Sequence, residues 1–314
     1  MTESLPVDLR SAHEYDAAAR AASSVVIDKY STSFGLASRL LGRTVRPHVR
    51  CVYALVRVAD EIVDGAAAAS GVSRSQTVEL LNELEVETLT ALERGFSTNL
   101  VVHAFARTAQ HAGIGADLVV PFFASMRADL TTLRHTEESV ADYVYGSAEV
   151  IGLMCLRIFM TGNPVEADRE ARLQHGARCL GAAFQKINFL RDIAQDYRTL
   201  GRVYLPGTDP STLTEAVKNH HLDRIDADLA VARAAVDDLP ESSRTAVLLA
   251  HDLFAELAAR LRSTPAEDLL DTRIRVPDTR KLVILGRSLA TGRFGRGQSW
   301  ARGAASPFPP TRQR

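Results

Sequence analysis

Apolar residues recur at helical spacing along almost the whole chain, while alternating β-branched runs bounded by turn signals are scarce. A helix returns a side chain to the same face about every 3.6 residues and a strand every second one, so this pattern predicts an all-α fold. Turn chemistry is dense at residues 65–75, 162–164 and 206–211, which are the expected breaks. None is long enough for a domain linker, and no repeat of solenoid period occurs. With 314 residues, 46% of them hydrophobic, the chain can bury one large core or two small ones.

A net charge of −1 gives no global pull toward nucleic acid or an anionic surface. Most basic residues are Arg, which can fork onto phosphate oxygens or lie on solvated faces. Cys51, Cys155 and Cys179 lack CxxC spacing and sit in apolar runs. They are expected as buried thiols of a reducing compartment, not as a metal site or disulfide frame. His220 and His221 occupy a polar stretch without metal-ligand spacing and are expected at the surface. The polar N-terminus lacks the apolar stretch of a signal peptide, and no run approaches about 18 uninterrupted apolar residues. A soluble cytoplasmic protein is expected.

Two acidic segments carry the chemistry. In CVYALVRVADEIVD (51–64), Tyr53, Arg57, Asp60 and Asp64 fall within an arc of about 60° at roughly 100° per residue. The rest of the circumference is apolar, so this helix is expected to be buried with its polar stripe toward an interior cavity. In GAAFQKINFLRDIAQD (181–196), Gln185, Asn188, Asp192 and Asp196 share a face in the same way, with Arg191 about 100° around. Arg198, Arg202 and Tyr204 crowd the exit before Pro206, which is expected to stop the helix. Carboxylates at i and i+4 repel each other, and more so in a cavity. A hard divalent cation relieves this, and Mg²⁺ suits one or two carboxylates that share its shell with phosphate and water. Either segment alone also fits an ordinary surface helix. Facing each other across an apolar cavity, the two would hold Mg²⁺ on both sides of a diphosphate.

These segments and three others resemble the trans-isoprenyl diphosphate head-to-head synthases, the family of squalene, dehydrosqualene and phytoene synthases. YSTSF (30–34) is similar to an early segment that contributes to diphosphate binding, and residues 49–64 to the first aspartate-rich motif. YVYGSAEVIG (143–152) resembles the central pocket motif. QKINFLRDIAQDYRTLGRVYLP (185–206) resembles the second aspartate-rich motif with its flap, and RVPDTRKL (275–282) the start of the last helix. The resemblance implies a single-domain, isoprenoid-synthase-type helical bundle around a central cavity, covering residues 23–291. A polar segment, 1–22, precedes it, and an acid-free basic tail, 292–314, expected to be disordered, follows.

Under that resemblance Asp60, Asp64, Asp192 and Asp196 hold Mg²⁺, with Mn²⁺ as a substitute and Glu61 and Asn188 as further ligand candidates. Ser31, Ser33, Arg57, Arg191, Arg202 and Tyr204 hold diphosphate oxygens. Tyr53, Arg57, Gln185, Asn188 and Arg191 serve the reacting centre. The implied activity is that of a prenyltransferase: head-to-head joining of two geranylgeranyl diphosphates, through prephytoene diphosphate, to phytoene. The alternative is two farnesyl diphosphates giving presqualene diphosphate and then squalene or dehydrosqualene, with NADPH in the reductive case. A non-catalytic assembly-factor relative would have lost aspartates that are all present here, and a terpene cyclase would not explain two DxxxD motifs each led by an Arg.

One departure is Glu149, where the central motif commonly has a small residue. It either faces the pocket or sits on the back of its helix against an Arg. Asp129 is either a site-supporting residue or a solvated acid, and Tyr143 and Tyr145 are expected as core or pocket wall. A hydrocarbon product cannot leave into water at a useful rate, so peripheral contact with the inner face of the cytoplasmic membrane is a further expectation. The candidate contact is the tail, with Arg293, Arg296, Arg302, Arg312 and Arg314 beside Phe294, Trp300 and Phe308. An idle, solvated tail is the alternative.

Overall fold

The computed structural model describes residues 9–30 and 33–294, and every regular element among them is helical. In chain order these are α1 (Leu9–Tyr30), α2 (Ser33–Ser38), α3 (Arg46–Val63), α4 (Ala66–Ala69), α5 (Arg74–Arg94), α6 (Leu100–Ala112) and α7 (Ala116–Thr131). There follow α8 (Glu137–Val144), α9 (Val150–Met160), α10 (Ala167–Gln195), α11 (Glu215–Val236), α12 (Glu241–Ser263) and α13 (Asp278–Phe294). One π-helical turn, Tyr145–Glu149, joins α8 to α9, and another, Asp196–Leu200, extends α10. The all-α expectation holds. The break expected at 65–75 is shorter, because Ala66–Ala69 forms a helical turn and Ser73 opens α5 with a reciprocal capping box to Gln76.

Helix α10 is the axis of the bundle. Its 29 residues run about 43 Å and pack against α9, α11, α12 and the first π turn. One apolar cluster, including Leu55, Leu81, Phe105, Phe122 and Met154, joins α3, α5, α6, α7 and α9. A second, including Tyr143, Ile187, Leu222 and Leu261, joins α8, α10, α11 and α12. Gly181 sets the spacing of α10 from the π turn, since a Cβ there would overlap the Ala148 carbonyl.

Three expectations are corrected. Residues 9–22 are not a separate polar segment: α1 runs unbroken through residue 22, Tyr15 donates to the Ser97 carbonyl at 3.0 Å, and Asp16 lies 2.7 Å from His103 Nε2. His221 is buried, because it shares the inner face of α11 with Lys218, Leu222 and Ile225, and its Nε2 meets the Pro206 carbonyl at 2.9 Å. His220 is exposed. The second acidic helix stops before Pro206: Gly201 adopts φ +66, a left-handed conformation that suits glycine, and its N–H closes onto the Tyr197 carbonyl.

The continuous helical stretch Glu137–Met160 is long and apolar enough to cross a membrane, yet half of it is buried inside the bundle. The backbone of the tail is described only as far as Phe294; Arg296, Trp300, Arg302, Phe308, Arg312 and Arg314 lie outside the described residues, as do the side chains of Arg293 and Phe294.

Candidate active site

The first acidic arm is the C-terminal half of α3. Tyr53, Arg57 and Asp60 are half-buried along it, and Asp64 caps its end. Arg57 lies 4.4 Å from the centre of the Tyr30 ring and pairs with Glu61 one turn on, while its buried Nε has no hydrogen-bond partner. Glu61 also accepts from Ala66 N at 2.9 Å, so both its oxygens are engaged outside the aspartate pair. Ser31 lies outside the described residues, as does the Ser33 side chain, although Ser33 opens α2.

The second arm is the end of α10 and the π turn beyond it. Gln185, Asn188, Arg191, Asp192 and Asp196 are all half-buried. Arg191 Nε donates to Asp192 Oδ1 at 3.0 Å, and Arg273 Nε lies 2.7 Å from the same oxygen. Sequence reasoning missed Arg273, since the contact joins residues 81 apart with no local signal.

The arms meet at a buried node. Arg202 Nη1 pairs with Asp64 Oδ1 at 2.7 Å and donates to the Tyr204 hydroxyl at 3.0 Å. Tyr204 and Tyr143 donate to the two oxygens of Asp129 at 2.8 and 2.7 Å. Tyr204 is also stacked on Phe189, with ring centres 4.2 Å apart. Asp129 is thus a supporting residue of the site and not a solvated acid. Tyr143 is core, and Tyr145 lies under the Arg178 guanidinium at 5.4 Å. Glu149 takes the second of its two readings: it accepts from Arg178 Nε of α10 at 2.7 Å and is not part of the chamber wall.

Negative charge is in excess here. Burial pushes the Asp60 carboxyl up to about 7, against the pull of Arg57 and with the push of Asp64, Asp129 and Glu61. Burial, followed by Asp192 and Asp64, raises Asp196 to about 7 as well, with Arg202 opposing. Burial lifts Asp129 to about 6 although Arg202 stands beside it, because that one guanidinium serves two carboxylates. Among the described residues, neither Asp60 nor Asp196 has a cationic partner at ion-pair distance, while Asp64 and Asp129 share Arg202 and Asp192 has both Arg191 and Arg273.

Both arms continue into the wall of a cavity of about 250 Å³. Helix α3 contributes Val49 and Val56 to it, and α10 contributes Leu173, Gly176, Ala177, Leu180, Gly181 and Phe184. The remaining wall comes from α2, the first π turn, α9, α11 and α12, and includes Cys155, whose thiol burial pushes up to about 12. Along both helices the order is the same, cavity wall first and carboxylates last, so the acids cluster at one pole of an apolar chamber.

The donor set fits Mg²⁺: all oxygen, paired, crowded by like charge and partly without counter-ions. Among the described residues no three carboxylates, histidines or cysteines stand close enough to enclose an ion by themselves. Such pairs suit an ion whose shell is completed by phosphate and water.

The node also stabilises the fold. Replacing Arg202 by Met should cost about 2–4 kcal/mol, since the buried Asp129 would lose its counter-charge while the more exposed Asp64 loses less. Urea denaturation measures it; an unchanged midpoint would mean the node carries no stability.

A profile of the family described as squalene/phytoene synthase matches residues 27–280. The chain is 28% identical over 285 residues to a 15-cis-phytoene synthase of Paracoccus sp. (strain N81106 / MBIC 01143), covering 84% of this chain and 88% of that one. It is 29% identical to a 4,4'-diapophytoene synthase of Staphylococcus haemolyticus (strain JCSC1435), covering 57% and 59%. In structure it is similar to a crystallised dehydrosqualene synthase in complex with ligand, with a TM-score of 0.75, 23% identity, and coverage of 90% of this chain and 99% of that one. That likeness shows the fold, an all-α isoprenoid-synthase bundle.

Proposed function

Because the chain belongs to the squalene/phytoene synthase family and is a prenyltransferase, we propose that it joins two geranylgeranyl diphosphates head to head, through prephytoene diphosphate, to phytoene. One observation carries the reading: two acidic helix ends, with Asp60 and Asp196 lacking cationic partners among the described residues, meet at one pole of an apolar chamber that the same helices line. Asp60, Asp64, Asp192 and Asp196 would hold Mg²⁺, with Mn²⁺ as a substitute. When bound, the metal supplies positive charge that stabilises a departing diphosphate.

The protein's own groups do the rest. Arg57 offers its unpartnered Nε, and Arg191 and Arg202 offer donors beyond those they give to aspartates, to the diphosphate oxygens. Tyr204, Ser31 and Ser33 are further donors in this reading. The chamber walls keep water from the allylic cation left by ionisation, so that the second prenyl chain's double bond is the available nucleophile. Gln185 and Asn188, between the wall and the acids on α10, and Tyr53, between the wall residues Val49 and Val56 on α3, would border the reacting carbons in this reading. The product has no polar group, and its transfer into lipid by peripheral membrane contact of a cytoplasmic enzyme belongs to the same proposal.

A second reading, two farnesyl diphosphates giving dehydrosqualene or squalene, draws on the chamber volume. About 250 Å³ lies below the usual range for ligand pockets, roughly 300–1,000 Å³, and favours the shorter chain. Purified protein with Mg²⁺ and each diphosphate in turn, with and without NADPH, decides between them by mass spectrometry of the hydrocarbon. Phytoene from the longer substrate is expected. A farnesyl-derived hydrocarbon alone would overturn the chain length, and no hydrocarbon from either would overturn the reading.

A further inference from the structure

The chamber wall is apolar almost throughout, with two serines, Ser38 and Ser147. Ser38 is satisfied, since its Oγ donates to the Gly35 carbonyl at 2.8 Å. Ser147 is not: its Oγ is buried and has no hydrogen-bond partner. A serine within a helix ordinarily bonds back to the carbonyl four residues earlier. Here that carbonyl belongs to Tyr143, and it accepts from Ser125 Oγ of α7 at 3.0 Å. Ser147 also sits in the π turn Tyr145–Glu149, where the helical ladder is interrupted. Such turns appear frequently at functional sites. An orphaned buried hydroxyl destabilises a fold, so its place in an otherwise apolar wall calls for a role.

Its position along the chamber suggests which. The π turn packs against α10 at Gly181, one helical turn before Gln185 and three before Asp192. That offset, about 16 Å from Asp192 along the axis, sets the π turn beyond the carboxylate pole, where a prenyl chain would lie in the reading above. A prenyl chain offers it no hydrogen-bonding group in the ground state. Positive charge on carbon is different. A hydroxyl without a partner turns its oxygen toward that charge without breaking a hydrogen bond. The interaction is therefore gained only as charge develops, the condition for lowering a barrier and not merely binding substrate.

We propose that Ser147 is a catalytic contact, its unpartnered Oγ stabilising the carbocation formed in the chamber, so that it sets the rate and product of the steps after ionisation. This rests on the prenyl-joining reading above. No covalent bond to Ser147 is involved, and the hydroxyl keeps its proton.

Three variants isolate the hydroxyl. Ser147→Ala removes it, Ser147→Thr keeps it, and Ser147→Val matches Thr in size without it. With Mg²⁺ and the active prenyl diphosphate, Ala and Val are expected to lower kcat about tenfold or more, with KM within about twofold, and to shift the product ratio between cyclopropyl diphosphate and hydrocarbon. Thr should recover most of the rate. The thermal midpoint of Ser147→Ala should stay level or rise, because an unsatisfied buried group is removed. A second readout does not need turnover: an allylic prenyl dimethylammonium should outcompete its uncharged carbon isostere on the wild type, and that preference should fall about tenfold in Ala and Val. Unchanged kcat, products and cation preference in Ser147→Ala would overturn the proposal, as would equal losses in Thr and Val, which would assign the effect to volume. A wild type that makes no hydrocarbon at all is a separate outcome, since it removes the function on which the proposal rests.

Discussion

Asp60→Asn and Asp192→Asn should each lower product formation by about a thousandfold or more, equivalent to about 4 kcal/mol of lost transition-state stabilisation. Both keep the shape of the side chain and remove the charge that would hold a cation. Their effects on the fold should differ in sign. Asp60 is raised to about 7 by burial and by Asp64, Asp129 and Glu61, so an amide there relieves repulsion and should raise the metal-free thermal midpoint at pH 8. Asp192 is held by Arg191 and Arg273, and an amide there leaves both guanidinium groups without their counter-charge, so that midpoint should fall. Turnover assays with circular dichroism melts separate the two quantities. Near-wild-type turnover in either variant would mean the site lies elsewhere.

Exhaustive metal removal with EDTA should abolish turnover, and Mg²⁺ should restore it. The same groups make the metal-free protein sensitive to pH. Asp60 and Asp196 both titrate near 7 in the folded chain, above the ordinary value of 3.8. A carboxyl raised on folding favours the folded state while protonated, and that contribution is lost as pH rises from the ordinary value through the folded one. The metal-free midpoint should therefore fall between pH 4 and 7 and level off above. Mg²⁺ at about 100 times its Kd adds about 2.7 kcal/mol. That is roughly 4 °C for a chain of 314 residues, gained at pH 8 and largely absent at pH 5, where protons compete. Full turnover after EDTA, or the same Mg²⁺ shift at both pH values, would rule out the carboxylates as its site.

Much of the molecule was legible in sequence, for a local reason. The 3.6-residue period needs no knowledge of the partner helix, and it marked α3 and α10 as helices with one acidic stripe each. Spacing of i and i+4 fixed which carboxylates share a face. Glu149 shows where this reasoning stops. Pairing with an Arg was one of two readings, but only folding brings Arg178, 29 residues away, within 2.7 Å. His221 was misjudged because its polar sequence neighbours say nothing of the inner face that α11 turns toward Pro206.

By itself, the sequence determined the all-α class, the two acidic helices and the oxygen-only donor set, because each is a property of residues within a turn or two of one another. The tertiary structure decided which charges are compensated. Arg202 is spent on Asp64 and Asp129, Arg191 and Arg273 on Asp192, and among the described residues Asp60 and Asp196 are left without a cation. It also decided that Ser125 donates to the Tyr143 carbonyl and that the Ser147 hydroxyl, one helical turn on, has no partner among the described residues. Hydrogen bonds and ion pairs depend on distances of a few ångströms between segments far apart in the chain, and only the packing of the helices sets those distances.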